Sequence, residues 1–374
     1  MTRPSGRPAP IPLTVLTGFL GAGKTTLLNR LLRDPALRDT VVIVNEFGEI
    51  GLDHLLIETV DEGMILLGAG CLCCTVRGDL IATLEDLLRK RDNGRIAPFR
   101  RVVIETTGLA DPAPILHALL YHPYVSMRYA LQGVVTVVDA VNGAGTLDAH
   151  PEAVRQVAVA DRLVLTKTDL AAPERGDGGP LRERLRALNP AAPLLPADAP
   201  AGAMLGGLFG FDGKVDDVRG WLGAEAVAAA EDDGHEHGHG HGHGHHHDVN
   251  RHDAAIRAFH LASEEPVPRA AFEMFLDLLR SAHGPKLLRL KGLVALADDP
   301  GRPVVVHGVQ HVVHTPATLE AWPDGDRRSR LVLIVRDLDP AFVARLWNAF
   351  LGRPAVDAPD AAALTANPLA IPGG

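Results

Sequence analysis

The stretch Gly18-Phe19-Leu20-Gly21-Ala22-Gly23-Lys24-Thr25, followed by Thr26, decides how the rest of the chain is read. It has the spacing G-x-x-x-x-G-K-[ST], and it stands between a β-rich apolar run at Ile11–Thr17 and a helical pattern at Thr25–Arg33. A strand, a glycine loop and a helix in that order build a cradle for phosphate. Glycines at 18, 21 and 23 let backbone N–H groups, Ala22 among them, curl around the oxygens, and the helix N-terminus adds positive charge. Lys24 has the reach to meet β- and γ-phosphates, and the Thr25 hydroxyl can ligate Mg²⁺.

Outward from this loop the pattern repeats. Val41–Asn45, Arg101–Thr106, Val134–Asp139 and Arg162–Thr166 are short apolar runs, with helical patterns at Thr83–Arg91 and Ala113–Leu120 between them. Strands buried on both faces and alternating with helices predict an α/β domain with a mostly parallel sheet covered on both sides. The strand Arg101–Thr106 ends in Glu105, placed for the second Mg²⁺ contact, and Gly108 can offer a backbone N–H to the γ-phosphate. After the next repeat comes Thr166-Lys167-Thr168-Asp169. A carboxylate at Asp169 can accept from guanine N1–H and the 2-amino group, while the stem of Lys167 lies over the base.

Order fades after Leu195, and His235–His247 is a histidine–glycine tract that reads as a linker. A second region follows in the order β-α-β-β-β-α: Ala254–Leu261, Pro268–Ala282, Lys286–Leu296, Val304–Val313, Leu331–Arg336 and Pro340–Leu351. It predicts a small α+β domain, ferredoxin-like, with its helices on one face. The expected division is a P-loop domain over 11–215, a linker over 216–252, a second domain over 253–352 and a loose tail over 353–374.

A net charge of −9 and an aromatic content of 4% speak against nucleic acid as a partner. No apolar run approaches the roughly 18 residues that cross a membrane, and Met1–Pro10 has no apolar core of a signal peptide, so a cytoplasmic location is expected. The three cysteines, Cys71, Cys73 and Cys74, form one cluster with no distant partner, which fits a reducing compartment. Three soft thiolates favour Zn²⁺ or Cu⁺ over Mg²⁺ and leave one position of a tetrahedral ion open to water, a carboxylate such as Glu46, or a ligand from an acceptor protein. His235, His237, His239, His241, His243, His245, His246 and His247 offer imidazoles in many registers, a set suited to loose, multiple binding of zinc, nickel or cobalt.

Taken together, GFLGAGKTT (18–26), VNEFGEIGLD (44–53), GCLCC (70–74), ETTGLADP (105–112), TKTD (166–169) and LLRLKGLVAL (287–296) resemble the CobW-like metal-chaperone GTPases, a SIMIBI-class P-loop family. The resemblance covers roughly 11–350. It implies GTP hydrolysis with Mg²⁺ coupled to delivery of zinc, or of cobalt, to a client metalloprotein. By motif it assigns phosphate and Mg²⁺ to Gly21, Gly23, Lys24, Thr25 and Thr26, the second Mg²⁺ acid to Glu105, and guanine to Lys167 and Asp169, with Thr166 departing from the asparagine of the commoner GTPase motif. It assigns the metal site to Cys71, Cys73 and Cys74, and the first switch to Glu46 and Asp53, where a carboxylate ligates metal or orients the attacking water. A cobalt or iron insertase for one enzyme or for cobalamin synthesis, and a histidine-rich storage module, are the alternatives. A homodimer is left open.

Overall fold

The computed structural model describes residues 9–45, 58–60, 64–69, 76–170, 179–205, 255–310, 312–313, 316–323 and 325–353. In the first domain the elements run β1 (Ile11–Gly18), α1 (Lys24–Leu31), β2 (Thr40–Asn45), β3 (Glu58–Val60), β4 (Met64–Ala69), α2 (Val76–Asp92), β5 (Arg101–Glu105), α3 (Ala113–Tyr121) and α4 (Pro123–Arg128). They continue with β6 (Tyr129–Asp139), α5 (Gly143–Ala149), α6 (Pro151–Ala158), β7 (Arg162–Thr166), α7 (Gly179–Leu188), β8 (Leu194–Pro196) and α8 (Ala201–Leu205).

Among the described residues the strands form one sheet in the order β3-β4-β2-β5-β1-β6-β7-β8. Every pairing is parallel except β3 with β4. Apolar side chains leave both faces of β1: Leu13 and Val15 pack with Leu84, Leu88 and Leu116, while Leu16 packs with Leu27, Leu28 and Leu31 of α1. This two-sided burial is what the uninterrupted apolar runs predict. β6 is longer than its run Val134–Asp139, because Tyr129–Leu131 also pairs with β1 across a register shift beside Gly133. The parallel arrangement brings the carboxyl ends of β1, β2, β4, β5, β6 and β7 to one edge, where open α/β sheets bind ligands.

The second domain contains β9 (Ile256–Ser263), α9 (Arg269–His283), β10 (Leu287–Leu296), β11 (Asp299–Val309), β12 (Val312–Val313), β13 (Ala317–Thr318), β14 (Ser329–Arg336) and α10 (Pro340–Phe350). Its sheet is antiparallel in the order β12-β11-β10-β14-β9, with β13 beside β11. Phe272 and Phe275 of α9 and Val343 and Trp347 of α10 cover one face. The split β-α-β expected of a ferredoxin-like domain is present, but the strand filling its gap is the last one, β14. The run Val304–Val313 is interrupted: Gln310 adopts φ 54°, and the chain turns there from β11 into β12.

The other face of this sheet packs on the first domain. Ile256, Leu288 and Ile334 share a cluster with Val154, Val157, Leu163 and Leu185. A register shift between Leu287 and Arg289 lets Arg289 follow Leu288 toward that interface. There Arg289 donates to Val159 O and to Asp161 Oδ1, and Lys291 Nζ lies 3.2 Å from the same oxygen. Asp161 Oδ2 accepts from Val134 N–H at 2.9 Å, and His307 Nε2 accepts from Arg289 at 2.9 Å. Burial pushes the Asp161 carboxyl up, yet Arg289 and Lys291 outweigh that and hold it below the usual carboxylate range.

Candidate functional site

The site is built at the carboxyl edge of the first sheet, where β1 hands the chain to the phosphate loop. Gly18 has φ 141°, and a Cβ there would sit 2.4 Å from Val137 O of β6, so the turn out of β1 requires glycine. Lys24 is buried, and its Nζ donates to Gly18 O at 3.0 Å and Phe19 O at 3.2 Å, which holds the ammonium inside the curl of the loop. The Thr25 hydroxyl donates to Glu105 Oε1 at 2.7 Å. Two residues eighty positions apart, one opening α1 and one closing β5, thus meet because β5 lies beside β1. Hydroxyl and carboxylate oxygens are hard donors, the kind that suits Mg²⁺.

The loop after Glu105 lies on the phosphate loop. Thr106 N–H donates to Leu16 O, and the Thr106 hydroxyl donates to Thr17 Oγ1 at 2.8 Å. A Cβ at Gly108 would come 2.5 Å from Leu20 N and 2.7 Å from Leu20 Cα, so glycine is what lets these two backbones touch. At the far end of this loop Asp111 Oδ1 accepts from Ala113 N–H, at the start of α3, at 3.0 Å. Its other oxygen accepts from Gln310 Nε2 of the second domain at 3.3 Å.

The base-reading segment leaves β7. Thr166 is buried, and its hydroxyl sits 2.6 Å from Ala22 O and 3.1 Å from Val138 O. The departure from asparagine therefore still supplies a side-chain tie between this segment and the phosphate loop. Lys167 adopts φ 56°, and its Nζ is 2.7 Å from Asp139 Oδ2 at the end of β6. Burial raises the Asp139 carboxyl, but hydrogen bonds from Lys167, Asn142 and the Val141 N–H outweigh that and keep it ionised below its ordinary range. Asp169 is exposed beside them. A cavity of about 250 Å³ runs from Phe19–Ala22 past Asp139 and Lys167 to Gln156.

The structure thus brings Gly18, Gly21, Ala22, Gly23, Lys24, Thr25, Thr26, Glu105, Gly108, Lys167 and Asp169 to one edge. Glu46, Asp53, Cys71, Cys73, Cys74 and the histidines from His235 to His247 lie outside the described residues. Among the described residues no three of His, Cys, Asp and Glu come together in a way that could hold an ion. No helix among them is long and apolar enough to cross a membrane. Asp139 received no role from the sequence, although the signal that singles out Glu105, an acid closing an apolar strand, is present there too.

Residues 12–196 match the family described as CobW/HypB/UreG, nucleotide-binding domain, and residues 256–351 match the cobalamin synthesis protein cobW C-terminal domain. The zinc chaperone YjiA of Escherichia coli is 34% identical over 325 residues, covering 87% of this chain and 94% of that protein. The zinc chaperone CobW of Pseudomonas aeruginosa is 31% identical over 369 residues, covering 90% of each. Zinc-regulated GTPase metalloprotein activator 1 of Schizosaccharomyces pombe is 40% identical over 172 residues, 44% of this chain and 41% of that protein. The solved structure of the zinc-bound YjiA GTPase from E. coli superposes with a TM-score of 0.65 at 29% identity, covering 91% of this chain and 99% of that one. With both domains matched in order and the phosphate loop seated at the carboxyl end of β1 as the motifs require, the chain belongs to the CobW/HypB/UreG family, in the form that carries a CobW C-terminal domain.

Proposed function

We propose that this protein is a GTP-hydrolysing metallochaperone that takes up zinc at Cys71, Cys73 and Cys74 and hands it to a client metalloprotein. The observation that carries the reading is the 2.7 Å contact of Thr25 with Glu105 beneath a buried Lys24, a donor set made for a magnesium-bound triphosphate. Thr25 and Glu105 would hold the Mg²⁺, which when bound neutralises charge on the β- and γ-phosphates. Lys24 would exchange the carbonyls of Gly18 and Phe19 for phosphate oxygens, and Asp169 would read guanine beneath the Lys167 stem that Asp139 steadies.

The zinc assignment draws on two supports. β4 pairs with β2 in parallel and ends at Ala69, on the same edge as Glu105 and just before the segment Gly70-Cys71-Leu72-Cys73-Cys74. Thiolates prefer zinc to magnesium, and the relatives matched over most of their length are named zinc chaperones. Triphosphate and zinc would then be linked, each raising affinity for the other.

The test is zinc affinity of the full chain under reducing conditions with GDP and with a non-hydrolysable GTP analogue. The wild type should bind zinc more tightly with the analogue, and the chain with Cys71, Cys73 and Cys74 all changed to Ser should lose that increment. Deleting 235–247 should remove weaker, nucleotide-independent zinc binding and leave the increment in place. Identical zinc affinity before and after the triple substitution would sink the reading.

A further inference from the structure

Gln156 lies on α6, far from the phosphate loop in sequence, and is 1% exposed. Its Nε2 donates to Gly108 O at 3.1 Å and to Ala110 O at 3.0 Å. Two carbonyls can only accept, so the side chain must present its NH₂ to them, and the amide orientation is settled by its partners. The other end of the same amide, Oε1, is buried and has no hydrogen-bond partner among the described residues. An orphaned buried oxygen costs stability. Gln156 accepts that cost on one side while making two bonds to a single turn on the other.

That turn is the piece of chain between two fixed points. Thr106 is tied to β1 through Leu16 O and Thr17, and Asp111 is tied to the start of α3 through Ala113 N–H. Between them Ala110 N–H folds back to Thr107 O, and Gly108 rests against Leu20. Gln156 is anchored in turn, since its own carbonyl accepts from the Thr136 hydroxyl of β6 at 2.7 Å. In a planar trans peptide the C=O and the following N–H point in opposite directions. Drawing Gly108 O toward α6 therefore turns Leu109 N–H away from α6, and the same constraint at Ala110 orients Asp111 N–H.

We infer that Gln156 is a positioning residue: its two amide hydrogens hold the Gly108–Ala110 peptides in the orientation that receives the γ-phosphate. The inference rests on the GTPase reading above. It predicts that Gln156 matters for the triphosphate and not for the diphosphate, because GDP lacks the group this turn would meet.

The experiment compares the full-length wild type with Gln156→Met, which keeps length without donors, and Gln156→Glu. Affinities for a fluorescent non-hydrolysable GTP analogue and for fluorescent GDP are measured with Mg²⁺, together with kcat and KM for GTP. Gln156→Met should lose about tenfold in analogue affinity and in kcat, the scale of one to two neutral hydrogen bonds, with GDP affinity within about twofold of wild type. Gln156→Glu should be worse at pH 8 and recover partly toward pH 6, because a protonated carboxyl regains one donor. An equal loss for both nucleotides, or an unchanged preference, overturns the inference while leaving the GTPase reading intact. A wild type that binds no GTP overturns both. Should the variants fail to fold, hydrogen exchange on the wild type decides: slower exchange across 107–111 with the analogue than with GDP supports the inference, and equal rates refute it.

Discussion

Replacing Asp161 by Asn would remove one charge and almost no volume from the junction of the two domains. The Asp161, Arg289 and Lys291 side chains are 0%, 2% and 2% exposed, so solvent screens none of them. The amide oxygen of the variant can still accept from Val134 N–H, which confines the perturbation to the lost counter-charge. Two cations are then buried against each other, and of these only Lys291 can give up its proton. Neutralising it at pH 7 costs at most about 5 kcal/mol, at about 1.4 kcal/mol per unit between pH 7 and its unfolded value. Breaking a buried pair by removing one partner costs about 3–5 kcal/mol in other proteins, and the same range is expected here. Urea unfolding followed by tryptophan fluorescence suits the question, because Trp322 and the buried Trp347 report on the second domain. With a slope of about 2 kcal/mol per molar, the midpoint should fall by roughly 1.5–2.5 M. Removing the cations as well, in Asp161→Leu with Arg289→Met and Lys291→Met, should recover most of the loss. A fall of less than about 1 kcal/mol for Asp161→Asn would refute the account of the junction as a charge cluster held by that carboxylate.

Burial drives the Lys291 pKa from 10.5 down to about 8 despite the neighbouring Asp161. Between those values the unfolded chain holds the extra proton, so stability should rise with pH by up to about 1.4 kcal/mol per unit from pH 8 to 10, and fall back as pH drops through 8. Lys291→Met should flatten that slope, read by urea midpoints across the range. Thr166→Val keeps the shape of the side chain and removes its hydroxyl from Ala22 O. It should weaken GDP and GTP analogue alike by about 1 kcal/mol, roughly fivefold in a binding titration, with no change in their ratio.

The phosphate loop was legible because everything it needs is local: a strand, three glycines, Lys24 and the start of α1 are contiguous, and no distant residue has to be guessed. Glu105 was legible by the same logic, as the last residue of an apolar strand. Gln156 was not, since on a helix between Val154 and Val157 it reads as one polar residue at a boundary, and its partners Gly108 and Ala110 are reached only through the stacking of α6 over β1 and β6. The role of Arg289 and Lys291 was not legible either. Charges alternating with leucines along a strand normally mark a solvent face, whereas here that face is closed by a second domain carrying Asp161. Gln310 interrupted an apolar run that periodicity reads as a single strand, because only its left-handed backbone reveals the turn. The three cysteines stood out as a cluster of soft donors, whereas Asp53 and the switch role of Glu46 were assigned only by resemblance to the family's motif.

α3 is gripped at both ends by the other domain: Gln310 holds Asp111 ahead of its first turn, and the Tyr121 hydroxyl in its last turn donates to Val313 O at 3.3 Å. The helix therefore works as a measuring rod between Gln310, just after β11, and Val313 of β12. Inserting a single residue would swing Tyr121 by about 100° around the axis and lose the second grip, and a full extra turn would overshoot it by about 5.4 Å. Its length should be among the least negotiable dimensions of the molecule, however freely its surface composition drifts.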